Sequence, residues 1–172
     1  MSFGCPVSPL QFAVICQLVS RLEAHQITYQ ITGGLAGNIH GSEWPLQDID
    51  IDVAAVDMPR VAELFAPYVT EPLGSYVDEE FDLQLLQLSV GGVRIDISQA
   101  EEGYGMTSSG RQPITTDLRR RAKTNLWGLE LYVQPLEDII RYKSLIGRSA
   151  DLKELQSLAR EQAIDLRALA LA

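Results

Sequence analysis

Cysteine and histidine are scarce in this chain of 172 residues: Cys5, Cys16, His25 and His40 are all there is. Two cysteines cannot make a disulfide scaffold or an all-cysteine zinc site, and they read as reduced thiols. Two histidines leave little for His-rich metal chemistry, and both read as structural or exposed. The first 20 residues carry no charge. Yet Pro6, Ser8, Pro9, Gln11 and Gln17 interrupt them and no base precedes an apolar core, so the marks of a secretory signal are missing. No run is long enough to span a membrane. A soluble, cytoplasmic protein is expected. Also absent are a G-x-G-x-x-G fingerprint, a Walker lysine, a G-x-S-x-G elbow and a Cys/His nucleophile pair.

Bases are scarce in the first two-thirds of the chain. The net charge is −9, which counts against a general nucleic-acid binder. Residues 1–110 hold only Arg21, Arg60 and Arg94 against 15 acids, whereas residues 111–172 hold 11 bases and 8 acids. One half is suited to hold cations and the other to contact phosphates. Hydrophobic residues make up 46% and charged residues 22%, ordinary for a globular chain. The length suits one domain, large enough to fold without a disulfide or structural metal.

Periodicity outlines the elements. A helix over Leu10–Ala24 starts from Ser8 and Pro9, and a strand over Ile27–Thr32 runs into Gly33-Gly34. One or two helical turns cover Leu35–His40, followed by a loop over Gly41–Gln47 and a strand over Ile49–Val53. A short helix spans Pro59–Phe65. Strands Phe81–Leu88 and Val93–Ile97 read as a hairpin, as do Arg119–Trp127 and Leu129–Val133. The glycine- and serine-rich Gly103–Gly110 reads as a mobile loop. A helix opens at Pro135 and closes at Gly147, and a second spans Asp151–Gln162, with the Ala/Leu-rich tail extending it. The order describes one mixed α/β domain.

The chemistry concentrates in Asp48-Ile49-Asp50-Ile51-Asp52-Val53. On a strand, Asp48, Asp50 and Asp52 share one face while Ile49, Ile51 and Val53 share the other. Aspartate is depleted in strands, and three aligned carboxylates repel unless cations compensate. Hard divalent ions take such oxygens, so the pattern is a platform for metal-assisted phosphoryl transfer. In Val93–Ser98, Arg94, Asp96 and Ser98 share a polar face in the same way, and Asp96 is a candidate metal ligand or proton acceptor. Gly33-Gly34, between a strand and a short helix, offers backbone N–H groups to phosphate.

Taken together, Ile31-Thr32-Gly33-Gly34, the 13-residue spacer, Asp48-Ile49-Asp50-Ile51 and the later Ile95-Asp96-Ile97 resemble the signature of the DNA polymerase β nucleotidyltransferase superfamily. Gly33–Ser42 followed by Asp48–Asp52 resembles its small bacterial minimal nucleotidyltransferases, akin to abortive-infection toxin and antibiotic-modifying enzymes. Pro135–Lys143, Gly147-Arg148 and Asp151-Leu152 resemble the helix pair that closes the nucleotide site there. The resemblance implies an α+β nucleotidyltransferase fold over residues 1–172: a small mixed β-sheet flanked by helices (core about 27–133) and a C-terminal helix pair (about 135–172). It implies transfer of a nucleoside monophosphate from an NTP such as ATP to a hydroxyl of an RNA, protein or small-molecule acceptor, releasing pyrophosphate. Asp48, Asp50 and Asp96 are then catalytic and hold two Mg2+ ions (or Mn2+). Gly33, Gly34, Ser42, Lys143 and Arg148 bind the nucleotide, and a homodimer is a further expectation.

Two departures stand beside that likeness. The loop Ser42–Gln47 lacks the arginine or lysine common before the acids, and only about 40 residues follow the last strand, too few for a separate acceptor-binding domain. The alternatives are a catalytically silent nucleotide-binding module and a protein-interaction module of toxin–antitoxin type on the same fold. The run Arg119-Arg120-Arg121 with Lys123 reads as a charged edge strand, and Trp44 either stacks on a substrate or packs.

Overall fold

The computed structural model describes residues 6–159. Helix α1 (Pro9–Ala24) starts at a reciprocal cap: the Gln11 amide donates to Ser8 Oγ at 3.2 Å and the Ser8 amide to Gln11 Oε1 at 2.8 Å. Then follow β1 (Tyr29–Thr32), α2 (Gly33–Ile39), β2 (Ile49–Val53), α3 (Met58–Leu64), β3 (Val69–Val77), β4 (Phe81–Val90) and β5 (Val93–Gln99). The remainder is β6 (Tyr104–Thr107), β7 (Gly110–Pro113), β8 (Ala122–Leu126), β9 (Leu129–Val133), α4 (Leu136–Ile146) and α5 (Ser149–Ala159).

All nine strands form one mixed sheet in the order β7-β6-β4-β5-β2-β1-β9-β8, with β3 pairing on β4. The register explains both faces. Ile31, Ile51, Ile97 and Leu86 lie opposite one another across β1, β2, β5 and β4, as do Ile49, Ile95 and Leu88. All seven are essentially inaccessible and pack with Val14, Ile15, Leu18, Val19 and Leu22 of α1 in one core. On the opposite face the same strands align Thr32–Asp50–Asp96–Gln87 and Gln30–Asp52–Ser98–Leu85. Cross-strand partners share a face, so these are two rows of side chains.

Three regions differ from the sequence reading. Strand β3 escapes it because Pro72 and Gly74 break the pattern; the strand tolerates both because it lies outside β4 and is irregular between Val69 and Gly74. Gly103–Gly110 holds strand β6 and the turn into β7 rather than a mobile loop. A Cβ on Gly105 would lie 2.4 Å from Ile146 Cδ1, so this glycine marks close packing under α4. The hairpin strand β8 begins at Ala122, because Leu118–Arg120 forms a 3-10 turn. The basic run is matched within the chain: Arg119 pairs with Asp117, Arg120 with Asp138 and Lys123 with Glu130, while Arg121 lies over the Tyr132 ring. The expected helix beyond residue 159, like Cys5, lies outside the described residues. No described helix is long and apolar enough to cross a membrane.

Two buried polar clusters fix the elements around the acidic face. Asp52 Oδ2 accepts from Thr116 Oγ1 at 2.8 Å and Gln30 Nε2 at 3.2 Å, and Oδ1 accepts from Ser98 Oγ at 3.1 Å. This third aspartate of the stripe therefore ties β1, β5 and the loop after β7 to β2. The second cluster joins α4 to α5. Lys143 Nζ lies 3.3 Å from Asp151 Oδ1 and 2.5 Å from Glu154 Oε2, with all three side chains at most 5% exposed. Arg148 donates to Asp151 at 2.7 Å and reaches Glu80 at 3.1 Å.

Asp52→Asn turns one acceptor into a donor facing donors and should cost about 1–3 kcal/mol in urea unfolding. Lys143→Ala strands the buried Glu154, leaves Asp151 to Arg148 alone and should cost about 3–5 kcal/mol. A loss below about 1 kcal/mol for Lys143→Ala would show that the ammonium does not hold the helix pair.

Candidate active site

The acidic face of the sheet is the floor of a cleft of about 430 Å3. Gly33 and Gly34 form one end, the loop residues Trp44, Pro45 and Gln47 one rim, and Tyr142, Lys143 and Arg148 the side made by the C-terminal helices. Phe81, Leu83 and Leu85 of β4, with Ile114, give the opposite part an apolar wall.

Each acid has a different environment. Asp48, immediately before β2, receives the Arg94 guanidinium, whose Nε also lies 3.9 Å from Asp96 Oδ2. Asp96 accepts from Gln87 Nε2 at 3.0 Å. Burial pushes its carboxyl upward, against the pull of Gln87 and Arg94. Among the described residues none donates a hydrogen bond to the Asp50 carboxylate. Burial, then repulsion from Asp48, Asp96 and Asp52, pushes Asp50 up to about 7, with Lys143 opposing. Asp52 is pushed up to about 6 by burial in spite of its three donors.

Gly33 exists where it does because of Asp50. It has φ +56°, and a Cβ there would lie 2.0 Å from Asp50 Oδ2. Any other residue would meet both a strained backbone and the carboxylate. The glycine pair of the sequence motif thus admits the central acid against the backbone of α2.

The structure gathers most of the expected site. Asp48, Asp50, Asp96, Gly33, Gly34, Lys143 and Arg148 all line the cleft. Ser42 does not. It is buried under the loop, where its Oγ accepts from the Trp44 amide at 3.1 Å and its carbonyl accepts from Asn38 Nδ2 at 2.9 Å. Its work is to shape the turn that presents Trp44, whose ring faces Lys153 Nζ at 6.0 Å. His40 bonds the Gln134 carbonyl at 2.9 Å and His25 the Arg21 carbonyl at 2.9 Å, structural positions both.

Several contributors were not singled out in the sequence. Gln87 was visible only as a polar break in the apolar alternation of β4, and its cross-strand neighbour Asp96 needs the register to identify it. Thr116 and Glu80 carry no local signal; they reach Asp52 and Arg148 across 64 and 68 residues.

The donor set suits a hard divalent cation. Asp48, Asp50 and Asp96 offer carboxylate oxygens on a rigid support, and Asp50 is half-buried with no donor. As the side chains stand, no three Asp, Glu, His or Cys among the described residues form a group able to hold one ion. Arg94 lies against two of the acids instead.

No protein-family model and no curated protein matches the sequence. Solved structures do. A Thermotoga maritima protein assigned as a nucleotidyltransferase superposes with a TM-score of 0.72 at 18% identity, over 91% of this chain and 96% of that one. The antibiotic-resistance factor ANT(2'')-Ia, in solution, gives 0.61 at 12% identity over 94% of this chain and 88% of that one. Its crystal structure in complex with adenylyl-2''-tobramycin gives 0.60 at 12% identity over 94% of each chain. The mixed sheet with its flanking helices is the nucleotidyltransferase fold.

Proposed function

We propose that the protein is a metal-dependent nucleotidyltransferase that moves a nucleoside monophosphate from an NTP to an acceptor hydroxyl. The observation that carries the reading is the row Thr32–Asp50–Asp96–Gln87, which brings Asp50 and Asp96 side by side on neighbouring strands with Asp48 next to them. The fold likeness supports it. Asp48, Asp50 and Asp96 would hold Mg2+ or Mn2+, which supplies charge stabilisation at the transferring phosphoryl group. The acceptor oxygen bonds to the α-phosphorus, the bond from that phosphorus to the bridging oxygen breaks, and pyrophosphate leaves with the electron pair. The hydroxyl proton goes to Asp96. The amides of Gly33 and Gly34 would face the phosphates, with Arg148 and Lys143 in the side wall of the cleft. The protein's share is positioning and electrostatics.

Charge sets the order of events. Among the described residues lining the cleft, carboxylates outnumber bases eight to three, and Arg94, Lys143 and Arg148 each touch carboxylates already. A bare triphosphate is repelled, so the nucleotide enters as a metal complex. The same imbalance favours a protein or small-molecule hydroxyl over RNA as acceptor. It also supports the second reading, a catalytically silent or protein-interaction module, because no base of the cleft is left unpaired.

Calorimetric titration of ATP, GTP, CTP and UTP, with and without Mg2+, separates the two. Transfer requires Mg2+-dependent binding of at least one nucleotide, weakened by more than about a hundred-fold in Asp50→Asn. No binding by any of the four would favour the silent module. The apo protein provides an independent check through pH. Asp50 holds its proton in the fold up to about pH 7 but releases it near pH 4 when unfolded. Its contribution therefore stabilises on the acid side and is lost as pH rises from about 4 to 7. In EDTA, Asp50→Asn should raise the thermal midpoint by about 2–4 °C at pH 8 and leave it nearly unchanged at pH 4. Equal midpoints at pH 8 would mean that Asp50 is not held under repulsion.

A further inference from the structure

Arg94 has no part in the mechanism above, yet it occupies the centre of the acidic group. Its guanidinium bonds Asp48 and lies 3.9 Å from Asp96. Extending the β2–β5 register by one pair beyond Ile49 opposite Ile95 sets Arg94 directly beside Asp48. We propose that Arg94 is the resident cation of this site. It takes the place beside Asp48 and Asp96 that a divalent ion claims, and on loading it turns to the phosphates of the nucleotide. The inference rests on the metal-dependent reading.

Three observations carry it. First, the other two cations of the cleft are committed elsewhere. Lys143 is only 5% exposed between two buried carboxylates, and Arg148 is held by the buried Asp151. Arg94 is different: its side chain is 61% exposed and its partners are themselves the candidate metal ligands. Second, the loop Ser42–Gln47 brings no base to the acids, and Arg94 supplies one from the neighbouring strand at the position where that loop ends. Third, Asp48, Asp50 and Asp96 do not form a group able to hold one ion as the side chains stand, as expected when a broad planar guanidinium, rather than a compact ion, lies against two of them. An arginine cannot lose its charge to make way for a metal. It must move, and the incoming phosphates are the anions it can move to.

The test uses Mn2+ alone and inorganic triphosphate with Mg2+, so that no base preference enters. Titrated into the full chain, Mn2+ should bind Arg94→Ala about ten-fold tighter than wild type, with Arg94→Lys between them. Mg2+-triphosphate should bind Arg94→Ala about ten-fold more weakly. The metal-free thermal midpoint of Arg94→Ala should fall, and Mn2+ should raise it by more than it raises wild type. If Arg94→Ala binds Mn2+ no more tightly while Asp50→Asn abolishes binding, the resident-cation role is overturned and the metal site stands. Unchanged triphosphate binding would overturn the turn toward phosphate. If neither wild type nor Arg94→Ala binds Mn2+, the metal-dependent reading falls and this inference with it.

Discussion

Four carboxylates stand on or beside two parallel strands, and their mutual repulsion at low solvent access is the constraint that the surrounding structure answers. Each acid is met differently. Asp52 takes three neutral donors from three other segments, Asp96 takes Gln87, and Asp48 takes a guanidinium. Asp50 takes nothing and is left holding a proton near neutrality. Partial burial of an ion with no donor is the costliest of these arrangements. It sits at the one position where Gly33 lets the backbone of α2 approach, which is how a functional position in an otherwise consistent strand is expected to look.

The C-terminal helices repeat the principle with the sign reversed. Lys143 is a cation taken out of water, and Asp151 and Glu154 come with it. Such a cluster gives little net stability against an apolar alternative, but removing one member exposes the rest to an unpaired charge. Its effect is geometric: it sets α5 against α4 and, through Arg148 to Glu80, closes the helix pair over the start of β4. The cleft wall is rigid because its charges are already matched there. The positive charge nearest the acids is instead on an exposed side chain rooted in a strand.

Much of this was legible in the sequence, because alternation is a local property. Ile49, Ile51 and Val53 against Asp48, Asp50 and Asp52, and Ile95 and Ile97 against Asp96, specify both the buried face and the polar one. Ser8 and Gly147 marked their elements equally well. What escaped was set by distance or by competition. Pro72 and Gly74 mask a strand whose position outside β4 removes their penalty. Gly105 looked like flexibility and is contact with Ile146. The two carboxylates on Lys143 and the bond from the Trp44 amide to the Ser42 hydroxyl are set by the fold. None of these partnerships lies within reach of a periodicity argument.

Core and chemistry share the same strands here, which makes fold and site inseparable. A one-residue slip of β2 against β5 would send Ile49 and Ile51 into the cleft and three aspartates into the core. The register is therefore held by the hydrophobic rows on one side and by the electrostatic cost of misplacing acids on the other. This explains how the architecture can coincide with other structures at 12–18% identity. The apolar positions need only volume and β-propensity, whereas the acidic positions need a carboxylate and a defined neighbour. Freedom lies in what neutralises the acids, and in this chain that choice fell to an arginine on the adjacent strand.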